Sequence, residues 1–164
     1  MPPDWTNVDA LDYGNNIVAD LLTGLPFEDG YFDYIVANHT IQMTTFTDLP
    51  RALAELRRVL KVGGVLRILV PDVELILAQY KSKVDIFPIA VDIERTRDGR
   101  MLRFLFWHGD ARSAFTFESL ADTLNRNGFQ NVRLCEFKQT YSEYPEIVDL
   151  DSREAESCIV ECAR

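Results

Sequence analysis

The sequence predicts a single α/β domain over residues 1–164, a mainly parallel sheet with helices on both faces and an antiparallel last strand. Three observations carry this. The run Tyr34-Ile-Val-Ala is short and apolar and ends on polar Asn38 and His39, as a buried strand does when its carboxyl end reaches a ligand crevice. Leu49, Ala52, Leu53, Leu56, Val59 and Leu60 then recur at helical spacing, which makes one face apolar, while Arg51, Glu55, Arg58 and Lys61 point elsewhere. Finally, Val65 to Val70 reads as a second buried strand, so that residues 32–72 form a strand, helix, strand crossover with short turns, the unit from which parallel sheets are built.

Within that unit Thr47 is the expected helix cap, with Asp48 in the first turn and Pro50 early enough to be tolerated. Gly63-Gly64 is expected to stop the helix, and Pro71 to break the second strand before Asp72 caps the next helix. Upstream, Trp5 to Ala10 and Asn16 to Asp20 read as short strands joined by a loop containing Asp12, Gly14 and Asn15. Asp29-Gly30 supplies a positive-φ position before the central strand. Downstream, Asp72 to Lys81 reads as a helix burying Val73, Leu75, Ile76, Leu77 and Tyr80. Residues 82–114 pattern less clearly: an apolar patch at Ile86 to Val91, a charged run from Asp92 to Arg100 expected to be solvated, and an aromatic-rich stretch from Met101 to Trp107. That stretch reads as core, or alternatively as the lining of a substrate site or a partner groove. Thr116 to Asn127 is a helix capped by Thr116 and stopped by Gly128, with Phe117, Leu120, Ala121 and Leu124 as its stripe. Gln130 to Lys138 and Ser157 to Ala163 alternate as the last two strands, the final one central to the sheet.

Two segments together carry a resemblance: LPFEDGYFDYIVANHTIQM at residues 25–43 and LAELRRVLKVGGVLRILVPD at residues 53–72. They resemble the central and later motifs of class I S-adenosylmethionine-dependent methyltransferases, in which an "LPF.D..FD" turn enters the fourth strand and an "E..RVLKPGG" helix end enters the fifth. The likeness extends to Trp5-Thr-Asn-Val-Asp9, to Ile17-Val-Ala-Asp20-Leu and to the late helix and last strands. It implies an incomplete Rossmann-like methyltransferase fold that begins inside the family's second strand, without the first strand and its glycine-rich loop. It also implies S-adenosylmethionine as cofactor and a small-molecule methyl acceptor.

By that resemblance Asp9 would accept from the ribose hydroxyls, Asp20 from the adenine amine, and Leu21 would pack near the ring, with Asn38 and His39 lining the cofactor. Read from the residues alone, Asp9 is equally a solvated carboxylate or a cap, Asp20 a turn residue, and His39 either a base or a hydrogen-bonded structural histidine. Relatives carrying this motif pair commonly place an acid and a histidine where this chain has Gln42 and Met43, neither of which can transfer a proton. No catalytic residue is therefore assigned.

Two functions stay open. One is a methyltransferase acting on a small molecule, in which positioning rather than acid–base chemistry supplies the rate. The other is a non-catalytic module that keeps the scaffold for binding or oligomerisation. A sheet without its middle strand exposes unpaired peptide groups, so a homodimer, strand-exchanged near the start of the chain, is expected.

Composition bounds the partners. Against 26 acidic residues stand 17 basic ones, a net charge of −9, with no patch suited to nucleic acid or an anionic membrane. No apolar run is long enough for a membrane span. Cys135, Cys158 and Cys162 form no CxxC pair and no metal-ligating spacing, which reads as buried thiols in a reduced cytoplasmic setting.

Overall fold

A computed structural model describes residues 5–82 and 92–164, apart from the side chain of His108. The apolar patch expected at Ile86 to Val91 lies outside the described residues. The strands are β1 (Val8–Asp9), β2 (Ile17–Val18), β3 (Phe32–Asn38), β4 (Leu60–Pro71), β5 (Gln130–Cys135) and β6 (Ser157–Ala163). The α-helices are α1 (Leu49–Val59), α2 (Val73–Lys81), α3 (Arg97–Leu105) and α4 (Phe117–Arg126). The strands fall into two sheets among the described residues: a parallel pair β1-β2, and a four-stranded sheet in the order β3-β4-β6-β5.

The predicted crossover is present: β3 and β4 are parallel and α1 joins them. β6 runs antiparallel to both β4 and β5, so the final strand is central to its sheet. Alternation along β4 and β6 decides what each face meets. Leu66, Ile68, Val70, Cys158, Val160 and Cys162 pack in one cluster with Leu49, Leu53 and Leu56 of α1 and Leu120 and Leu124 of α4. The opposite face carries Leu69, Ile159 and Cys135, joined by Val36 and Phe137. The segment following β5 helps to cover it: Tyr144 stacks on Tyr34 at 4.9 Å between ring centroids, and Ile147 is fully buried.

Several boundaries differ from those the sequence suggested. Asp48, not Thr47, holds the cap position of α1, without a side-chain cap bond. Gly63-Gly64 does not end the helix, because β4 already begins at Leu60. The pair instead makes a bulge, where the register jumps from Phe32↔Leu60 to Tyr34↔Val65. Gly63 has φ +79°, and a Cβ on Gly64 would stand 2.8 Å from Asp33 O and 2.9 Å from Lys61 O. Only glycine fits so close to two carbonyls.

Asp72 caps α2 as expected, accepting from the N–H groups of Glu74 and Leu75. The helix buries Ile76 alone, and Leu77 is exposed. The charged run is not wholly solvated either: its later part is α3, in which Arg100 is buried and donates to the carbonyls of Glu94 and Arg95. From the aromatic stretch, Phe104 packs with Ile76, Tyr80, Met101, Leu105 and Trp107 as a satellite core, while Leu102 and Phe106 stay exposed. Thr116 caps α4 through a reciprocal capping box with Ser119. Gly128 follows the helix with φ +84°.

Among the described residues no hydrogen bond joins the two sheets. In β1-β2, Ile17 N–H donates to Asn7 O and Ala19 N–H to Asp9 O, so Asn7 and Asp9 face β2 and the peptide groups of Val8 face away from it. On β3, His39 N–H donates to Leu69 O, so by the same alternation Ile35 and Ala37 face β4 and the peptide groups of Val36 and Asn38 face the outer edge. Trp5 reaches across, its ring edge-on to Tyr34 at 5.2 Å.

Candidate functional site

Most of the residues singled out in the sequence stand at or just beyond the carboxyl ends of parallel strands, Asp9 and Asp20 on β1-β2 and Asn38 and His39 on β3. Asp9 closes β1, and Asp20 lies two residues beyond the end of β2. Since Asp9 is registered against Val18, the two carboxylates belong to the same end of the pair. Each is exposed, and each uses one oxygen locally. Asp9 Oδ1 accepts Leu11 N–H at 2.9 Å, and Asp20 Oδ1 accepts Leu22 N–H at 2.8 Å. Asp20 O also accepts from Thr23 and Gly24 N–H, so Asp20 is a turn residue. Fixing one oxygen orients the carboxylate and leaves the second, in each case, without a partner among the described residues. Leu21 packs against the main core and lines a shallow groove with Gly24, Arg51, Ala54 and Glu55.

Asn38 and His39 stand at the end of β3 and are tied to the chain's later part. Asn38 Nδ2 donates to Leu150 O at 2.7 Å, and its Oδ1 accepts from Ser152 Oγ at 3.1 Å. His39 is left-handed, φ +50°, and its Nε2 lies 3.0 Å from Ser157 Oγ. Ser157 Oγ also lies 3.2 Å from Ser152 O, and its one hydrogen goes either there, with His39 Nε2 donating, or to Nε2, with Nδ1 carrying the ring hydrogen. Nδ1 is buried and has no partner among the described residues.

Burial, and then the charge of Arg153, lower the His39 pKa from 6.5 to about 4. The ring is neutral at pH 7 and more easily protonated in the unfolded chain. Its contribution to stability is therefore complete above about pH 6.5 and is lost as the pH falls toward about 4. The loss is expected to reach about 3 kcal/mol at the acid end, since one pKa unit corresponds to about 1.4 kcal/mol. Urea unfolding across this window should give a shallower acid decline for His39→Gln than for the parent chain. Parallel curves would mean that the ring is not buried neutral.

Sequence reasoning did not find Arg153, whose charge acts on His39, nor its partner Trp107. Arg153 and Trp107 are also left-handed, φ +56° and +46°, and the Arg153 guanidinium lies 4.1 Å from the centroid of the Trp107 ring. Gln42, in the turn after β3, is 2% exposed. Its Oε1 meets no donor among the described residues, while its backbone O accepts from Arg112 and Ser113 N–H. Nothing in the order of amino acids announces positive φ at a tryptophan or an arginine, so this pairing was not legible.

The three thiols are buried. Burial pushes Cys135 up to about 11 and Cys158 and Cys162 up to about 12, so none is a nucleophile at neutral pH. Among the described residues no group of His, Cys, Asp and Glu could hold a metal ion, and no helix is long and apolar enough to cross a membrane.

S-adenosylmethionine offers ribose hydroxyls and an exocyclic amine, all donors. The free oxygens of Asp9 and Asp20 at one strand end are acceptors, so the described residues fit the nucleoside half of that cofactor.

Comparison with known proteins bears on the sequence family and the fold. Residues 6–68 match the model of a methyltransferase domain. Over 45 residues the chain is 53% identical to the mitochondrial 2-methoxy-6-polyprenyl-1,4-benzoquinol methylase of Leishmania donovani, which covers 27% of this chain and 15% of that protein. A SAM-dependent methyltransferase from Archaeoglobus fulgidus superposes with a TM-score of 0.57 at 15% identity, covering 96% of this chain and 74% of that one. Another from Thermotoga maritima superposes with a TM-score of 0.50 at 24% identity, covering 87% of this chain and 60% of that one. The chain thus spans only part of the length of these relatives. Residues 6–68 are similar to a methyltransferase domain, and the α/β fold is like that of S-adenosylmethionine-dependent methyltransferases of known structure.

Proposed function

We propose that the chain binds S-adenosylmethionine through Asp9 and Asp20 and serves methyl transfer to a small-molecule acceptor. The observation that carries this is the pair of half-engaged carboxylates at one end of β1-β2, each with an oxygen to spare. The cofactor would supply an electrophilic methyl group on a sulfonium. The protein's part is then to hold the acceptor in line and exclude water, since Gln42 and Met43 transfer no protons. The net charge of −9 argues against a polyanionic acceptor, and three buried, unpaired thiols suit a reducing compartment such as the cytoplasm.

In calorimetric titrations S-adenosylmethionine and S-adenosylhomocysteine are expected to bind, and Asp9→Ala to weaken both at least tenfold. A hydrogen bond to a charged group is worth about 1.5–3 kcal/mol, and about 1.4 kcal/mol is a factor of ten. No heat at millimolar ligand would end this reading.

The outward-facing peptide groups of Val8, Val36 and Asn38 favour a second reading, which can hold alongside the first: a homodimer in which the early strands exchange between copies. Open strand edges of this kind are templates for pairing with another chain. Light scattering coupled to size exclusion should then return twice the 18.8 kDa chain mass at micromolar concentration. A well-folded monomer there would count against exchange.

A further inference from the structure

Parallel strands are normally covered on both faces, yet β1-β2 is open on each. Ile17 and Val18 are successive residues of β2, so their side chains point to opposite faces, and both are exposed. In the loop that joins the two strands Leu11 is 63% and Tyr13 65% exposed. Four large apolar groups therefore stand open within eight residues, unlike the single scattered ones of an ordinary surface. Their surroundings carry one sign of charge. Residues 1–50 hold eight acidic residues and no lysine or arginine, whereas residues 51–164 hold 18 acidic and 17 basic ones, so nearly all of the net −9 lies in the first third of the chain. Asp9, Asp12 and Asp20 are exposed, and the bonds that their side chains accept come from backbone N–H groups.

The outer side of α3 is the counterpart. Leu102 and Phe106 are each about half exposed, with exposed Arg103 between them. At 3.6 residues per turn these three lie within about a third of the helix circumference, while Phe104 turns the other way into the satellite core. Residues 95–112 hold five arginines against two aspartates. Arg97 and Arg100 are turned to backbone carbonyls, but Arg95 and Arg112 are exposed, and the ion pair of Arg103 with Glu94 is long at 3.7 Å. Both surfaces are open, so neither covers the other within one chain. We propose that the outer side of α3 in one copy docks on β1-β2 of a second copy, with Leu102 and Phe106 against Leu11 and Tyr13 and the arginines facing Asp12. Apolar burial supplies the attraction. Opposite charge selects the pairing, since two β1-β2 surfaces would repel each other. This rests on the homodimer reading for the fact of association and needs no exchange of strands.

The test is light scattering coupled to size exclusion on the full chain and on two variants, one carrying Leu11→Ser with Tyr13→Ser, the other Leu102→Ser with Phe106→Ser. At micromolar concentration the parent should return at least twice the 18.8 kDa chain mass, and each variant alone a single chain mass. Mixed in equal amounts, the two variants should associate, because the first still presents α3 and the second still presents β1-β2. Arg103→Glu, which removes no apolar contact surface, should lower the parent's mass more than Arg103→Gln does, and this comparison stands even where a serine variant unfolds. Variants that remain dimeric alone, variants that stay apart when mixed, or equal masses for the two Arg103 substitutions would each overturn the docking while leaving strand exchange in place. A folded parent that runs as a monomer would overturn both.

Discussion

Asp151→Ala is expected to destabilise the chain by about 3–5 kcal/mol, the loss typical when one partner of a buried ion pair is removed. Arg67 sits mid-strand in β4 with no exposed surface. Its Nε and Nη2 donate to the two oxygens of Asp151 at 2.7 and 2.6 Å, and its Nη1 donates to Glu161 at 2.6 Å. Burial alone would lower the arginine's pKa, but hydrogen bonds and charge from Asp151, and then Glu161, outweigh it and raise it. The carboxylates are committed elsewhere too. Asp151 Oδ2 accepts Lys138 N–H, and Glu161 accepts from Thr140 Oγ1 and Tyr141 N–H. Removing Asp151 leaves a guanidinium half-paired and frees the 138–151 segment at one anchor. Replacing the triad together, Arg67→Met with Asp151→Leu and Glu161→Gln, should cost clearly less, because no uncompensated charge remains and the amide of residue 161 keeps an acceptor for Thr140 and Tyr141. Urea unfolding of the three chains measures both effects. A single variant within about 1 kcal/mol of the parent would show that the triad is not sealed from solvent.

Phe115→Ala is expected to cost about 3–5 kcal/mol, as large-to-small changes at sealed aromatic positions do. Phe115 belongs to the main core, its carbonyl accepts Val73 N–H at 3.1 Å, and it bridges to Asp72 just before α2. The residue thus closes the junction where β4 ends and α2 and α4 begin, and truncating its ring opens a cavity within the main core. Phe46 meets the same ring edge-on at 5.8 Å but is 62% exposed, so Phe46→Ala should cost under about 1 kcal/mol. Thermal unfolding of the pair checks the contrast. Similar losses for both would place the two rings in one shared environment.

How much of this was legible depends on the kind of signal. The β3-α1-β4 crossover follows from apolar spacing, and the caps at Asp72 and Thr116 from residue type followed by a helical stripe. These are local rules that this fold obeys. Gly63-Gly64 misled because two glycines read as a helix stop, whereas here a bulge within β4 needs them. Arg100 misled because a run of mixed charge reads as solvated, although one member can turn inward and cap carbonyls. At the site, the carboxylates at strand ends were readable as Asp9 and Asp20. The contacts of Asn38 and His39 were not, since they join residues more than a hundred positions apart.

The separation of β1-β2 from the larger sheet has a kinetic meaning. Two short strands joined by few ladder bonds, tethered through Trp5 against Tyr34, Leu21 in the core and Leu25 N–H on Glu55, form a unit that opens below the free energy of global unfolding. Because Asp9 and Asp20 ride on that unit, a nucleoside that grips them also has to still them. Occupancy would then be reported first by slowed amide exchange at Ile17 and Ala19, far from any reacting atom.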